Sequence, residues 1–103
     1  MAKPKILRLM QHLSAACEEG RLRFTMHAVE QMHKRRISEQ EVFFIIRHGF
    51  HEAKKDQLGG ISKTWRYAIR GLTLDGRDLR VVVAFTQPNV LIVTAIDLNL
   101  KEG

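Results

Sequence analysis

The chain has 103 residues, 45% of them hydrophobic, and carries seventeen Lys and Arg against eleven Asp and Glu, a formal net charge of +6. That length and composition fit one domain with a modest core, residues 1–103, and exclude a disordered chain. The charge favours a polyanionic partner such as RNA, DNA or an acidic protein, and the single cysteine, Cys17, excludes an intramolecular disulfide.

Pro4 suits a first helical turn, and Ile6, Leu9, Met10, Leu13, Ala16 and Cys17 follow helical spacing up to a stop at Gly20. Residues 1–20 therefore read as an N-terminal helical extension. No signal peptide or membrane span is expected, which makes the cytoplasm the expected compartment. Arg21 to Thr25 can form only a brief extended link or edge strand. A second helix follows from about His27 to Arg36, with His27, Gln31 and Arg35 on one face and Ala28 and Met32 on an adjacent apolar one. Ser38 opens a third helix, with Glu41 completing a capping box, Val42, Ile45 and Ile46 as the buried stripe, and Gly49 at its end.

From Phe50 the period changes. Phe50 to Asp56 reads as a polar strand, ended by Gly59-Gly60. Thr64 to Leu74 alternates, with Trp65, Tyr67 and Ile69 on one side and Arg66, Ala68 and Arg70 on the other. Asp78 to Thr86 alternates as well, with Leu79, Val81, Val83 and Phe85 against Arg80, Val82, Ala84 and Thr86. A three-residue turn, Asp75-Gly76-Arg77, pairs Arg70 with Val82, Tyr67 with Phe85 and Ile69 with Val83. It buries one face consistently and leaves Arg66, Arg70, Arg80 and Thr86 on a half-apolar open face. Pro88-Asn89 marks a turn before Val90 to Asp97, which is apolar on both sides like a central strand. The expected class is α+β: N-terminal helices packed on one face of an antiparallel sheet of about four strands.

The order His27-Ala28, Met32, Arg35-Arg36-Ile37-Ser38, Tyr67-Ala68-Ile69-Arg70-Gly71 and Val81-Val82-Val83 resembles the small bacterial family called domain of unknown function 4258. The resemblance covers roughly residues 24 to 97. It implies a compact fold like those of RelE-like toxins, barnase and colicin nucleases, a toxin–antitoxin setting, and an antitoxin partner of zinc-finger type. Two positions depart from the family's usual helix. Gln31 stands where an Arg is expected, and Arg36 where a Gly is.

Metal-independent RNA cleavage needs a base for the 2′-hydroxyl, an acid for the leaving 5′-oxygen, and cations around the phosphate. His27 can serve as base or acid, or can simply cap its helix. Arg35 supplies a cation on the same face. Arg66, Arg70 and Arg80 offer planar, bidentate phosphate contacts, unless they only solvate a sheet face. Lys34 and Arg36 can track phosphates, or complement the C-terminus of their helix. Tyr67, Gln31 and Thr86 are given minor roles at most. His48-Gly49-Phe50-His51 spans a helix end and lacks the further ligands of a zinc site, so no metal or other cofactor is expected. The sequence thus points to a ribonuclease-type toxin acting on RNA, with a non-catalytic RNA- or protein-binding module as the alternative; what separates them is whether His27 meets the arginine face in one cleft.

Overall fold

The computed structural model describes residues 4–60 and 63–99. Three helices, α1 (Leu9–Glu18), α2 (Met26–Arg35) and α3 (Glu39–His48), join strands β1 (Leu22–Phe24), β2 (Phe50–His51), β3 (Gln57–Gly59), β4 (Thr64–Leu72), β5 (Asp78–Thr86) and β6 (Asn89–Asp97) in an α+β fold. The sheet order is β1-β6-β5-β4-β2, and β3 pairs with β4. β1 runs parallel to β6, while β2, β3, β5 and β6 make antiparallel pairs. The expected antiparallel sheet of about four strands is therefore a mixed sheet of six. The additional strands span two or three residues, too short for alternation to show.

Local chemistry sets the helix ends. The Thr25 hydroxyl accepts from Ala28 N at 3.0 Å and caps α2. Ser38 and Glu41 form the capping box of α3, with Ser38 N donating to Glu41 Oε1 at 2.9 Å and Glu41 N to Ser38 Oγ at 3.1 Å. α1 begins at Leu9 rather than at Pro4. The residues before it are held by the sheet: Ile6 N donates to the Tyr67 hydroxyl at 2.8 Å, and Lys5 pairs with Asp56 at 3.0 Å.

One face of the sheet and the three helices share a single core, which includes Leu13, Met32, Ile45, Ile46, Ile69, Val81, Val83 and Ile92. Tyr67 and Ile69 are buried on this face as expected, and Trp65 and Phe85 are half-buried at its margin. The expected hairpin register is wrong by two residues. Arg70 faces Arg80, Tyr67 faces Val83 and Ile69 faces Val81. The connection runs from Thr73 to Arg77, where Thr73 N donates to Arg77 O at 2.9 Å and Arg77 N to the Thr73 hydroxyl at 2.9 Å. A slip of two preserves side-chain parity, so the two faces survive the error.

The expected strand from Phe50 to Asp56 stops at His51, and Ala53–Lys55 forms one turn of 3-10 helix. Glu52 N still donates to Ala68 O at 2.8 Å, but Ala68 N donates to a carboxylate oxygen of Asp56 at 2.9 Å. A side chain has replaced a peptide carbonyl in the ladder. The backbone bulges outward there and returns as β3.

Candidate functional site

The face of the sheet away from the core carries Arg66, Arg70, Arg80 and Val82, as the alternation requires. On β6 the pairing shifts between Val82 and Val83. Val82 faces Thr94 and Val83 faces Ile92, leaving Val93 as an extra residue. Such a bulge re-aims side chains, and bulges concentrate beside functional sites. Val93 and Thr94 both line one cleft here, with Ile96 two residues on.

α2 brings the histidine to this cleft. β1 ends at Phe24 beside Ile92, and Thr25 continues along β6, its backbone N donating to Ile92 O at 3.1 Å and its hydroxyl to Ile92 O and Val93 O at 3.2 and 3.3 Å. His27, in the next turn, is exposed and lines the cleft. Thr25 already caps the helix, so capping does not account for His27.

The cleft has a volume of about 400 Å³. Its floor is Val82, Val93 and Ile96. Arg66 and Gln57 stand at one side, paired across β4 and β3, with Lys55 from the 3-10 turn; Arg80 and Thr94 complete the lining. The Lys55 ammonium and the Arg66 guanidinium have no hydrogen-bond or ion-pair partner among the described residues. Gly59 lies beside the Arg66 side chain, and a Cβ built there would be in ordinary van der Waals contact with it, 3.4 Å from Arg66 Nε.

A carboxylate absent from the sequence expectations reshapes the arginine face. Glu52 binds Arg80 Nε at 2.6 Å and Arg70 Nη1 at 3.0 Å, and Asp78 takes Arg70 Nη2 at 2.7 Å. The hydrogen bond from Arg80 holds Glu52 below its ordinary value, against the upward effect of burial, with a further lowering from Arg70. The hydrogen bonds that Arg70 donates to Asp78 and then to Glu52 raise its guanidinium further above its usual range. The open clamp of Arg70 and Arg80 is thus corrected to a paired network. Only Arg80 reaches the cleft with His27; Arg70 lines a separate depression with Phe44, Phe50 and Leu72.

The other expected residues lie elsewhere. Arg35 is at the far end of α2, donating to Ala95 O at 3.0 Å. Lys34 and Arg36 are exposed at that same end, and Arg36 is its left-handed cap, φ 54°. Tyr67 is buried, its hydroxyl held by Ile6 N. Thr86 is exposed at the β5–β6 turn, and Gln31 is half-buried on α2. The sequence reading missed Lys55, Gln57 and Glu52. Their one signal was a polar, lysine-bearing stretch ahead of Gly59-Gly60.

Among the described residues no group of three His, Cys, Asp or Glu side chains converges as a metal site would, and no helix is long and apolar enough to cross a membrane. The family model Domain of unknown function (DUF4258) matches residues 24–97. The chain belongs to this family. The DUF4258 region takes in α2, α3, β2 to β6 and every residue of the cleft; it leaves α1 outside. Comparison with curated proteins returns no match.

Proposed function

We propose that the protein is a metal-independent endoribonuclease. The observation that supports this is the shared cleft, in which an exposed imidazole and the cations Lys55, Arg66 and Arg80 line one space. A phosphodiester there meets both requirements of transesterification, a proton carrier and positive charge around the phosphate. In the step envisaged, neutral His27 takes the 2′-hydroxyl proton, O2′ bonds to phosphorus, and the P–O5′ bond breaks. The proton then returns from the imidazolium to O5′, leaving a 2′,3′-cyclic phosphate. Glu52 is a poor alternative base, because two arginines favour its ionised form and so weaken its pull on a proton. Its part is to orient Arg80.

The net charge of +6 fits RNA as substrate and an acidic antitoxin as inhibitor. The likeness to RelE- and barnase-type toxins that the sequence resemblance implies is consistent with a toxin–antitoxin setting, in the cytoplasm. The test is incubation of purified protein with varied RNAs. We expect cleavage that chelators do not change and that His27→Ala slows by roughly 10²–10⁴-fold while RNA is still bound. Folded protein that leaves all RNAs intact overturns the enzyme reading and leaves a binding module of the same fold.

A further inference from the structure

We propose that the cleft holds one unstacked nucleotide of a single-stranded RNA. This deepens the ribonuclease reading and rests on it. About 400 Å³ is near the lower end of the ~300–1,000 Å³ typical of small-ligand clefts. The lining is divided as a nucleotide is. Val82, Val93 and Ile96 offer an aliphatic floor to a base, and among the described lining residues the imidazole of His27 is the one ring beside it. Gln57 and Thr94 beside that floor provide an amide and a hydroxyl, which can pair with a base edge. Lys55 and Arg66 are unpaired cations suited to the phosphate.

A duplex satisfies only the last of these features. Its bases are stacked inside the helix, and the A-form major groove is too narrow for side chains to read. Base-reading contacts of this kind need a splayed-out nucleotide. An acidic peptide would likewise use the cations and leave the floor unexplained.

Fluorescence anisotropy at one fixed salt concentration tests this with a short single-stranded RNA made uncleavable by 2′-deoxy substitution. The comparisons are the same sequence as a duplex, mononucleotides as competitors, and a polyglutamate peptide. We expect single strands to bind on the order of tenfold tighter than duplex, the worth of one base contact, and mononucleotides to compete. Gln57→Ala should alter the ranking among the four mononucleotides, and Val82→Phe, which fills the floor, should erase the strand preference. Thermal melting monitors the fold of Val82→Phe, and the exposed Gln57 position tests the idea without touching the core. Equal or tighter duplex binding overturns the proposal. So does displacement by polyglutamate but not by mononucleotides, or an unchanged ranking in Gln57→Ala. Because the probe cannot be cleaved, this result is independent of whether the protein is a nuclease. Cleavage without strand preference would sink this inference alone, and strand preference without cleavage would sink the enzyme reading alone.

Discussion

Glu52 shows how one side chain can set the charge of a whole face. It sits between Arg70 and Arg80, which β4 and β5 place directly opposite each other. Like charges at facing positions repel, so the pair is tolerable only with an anion between them. The lowered pKa of Glu52 gives this arrangement a testable signature, with the Arg80 hydrogen bond as its largest cause. A carboxylate whose folded value lies below its unfolded one contributes stability above the unfolded value, and that stability is lost as pH falls through the folded value. Glu52 should therefore stabilise the protein at neutral pH and cease to do so on acidification below the ordinary glutamate range. Glu52→Gln should lower stability at pH 7 by about 1 kcal/mol, given solvent screening. It should also flatten the acid side of the stability profile measured by urea unfolding at stepped pH. An unchanged acid slope would show that the Glu52 pair does not form in solution.

At the scale of elements, contacts within a few residues were legible in the sequence and contacts between distant segments were not. The Ser38–Glu41 capping box, the Gly49 stop and the alternation of β4 and β5 all depend on near neighbours, and all appear in the structure. The parallel pairing of β1 with β6 joins residues some 68 apart, with no periodicity to betray it. Asp56 was hidden for the same reason: its carboxylate accepts from Ala68 N, His51 Nε2 and Lys5 Nζ, three donors from separate segments. Lys55 and Gln57 flank it, so that part of the cleft was hidden too. His27 was found because a titratable side chain in a first helical turn is visible locally, although its meeting with Arg80 was not. Arg77, expected only as a turn residue, is the extreme case. Its guanidinium donates to Arg35 O and Arg36 O at 3.0 and 2.9 Å, to Glu41 at 2.9 Å and to Asp97 at 3.0 Å. It thereby ties the β4–β5 hairpin to the end of α2, the start of α3 and the end of β6. Arg77→Ala would leave two carboxylates and two helix-terminal carbonyls without this donor. It should cost about 2 kcal/mol in equilibrium unfolding, whereas Arg47→Ala, on the exposed last turn of α3, should cost little. Equal effects of the two would refute the stapling role.

For the molecule as a whole, the issue is whether the charge of +6 acts diffusely or through the cleft. Lysines and arginines occur at the C-terminal end of α2, on α3 and around the 3-10 turn, so a general attraction for polyanions is expected in either case. Among the described residues, Lys55, Arg66 and Arg80 are the lysines and arginines that face the space that His27 lines, and Arg80 shares its charge with Glu52. Each neutralised phosphate of a single strand contributes about −0.7 to the slope of log affinity against log salt, so two to three such contacts give a slope of about −1.4 to −2.1. Lys55→Ala with Arg66→Ala should remove most of that slope. Lys34→Ala with Arg47→Ala takes away the same formal charge at exposed positions on α2 and α3, outside the cleft, and should leave the slope nearly unchanged. Titrations of single-stranded RNA across a salt series would separate the two cases. If both double variants reduced the slope equally, attraction would belong to the net charge, and the cleft would lose its claim to be where RNA is held. If only the Lys55 and Arg66 pair does so, the phosphate is placed where His27 can reach it, and the binding and the proton chemistry belong to one site.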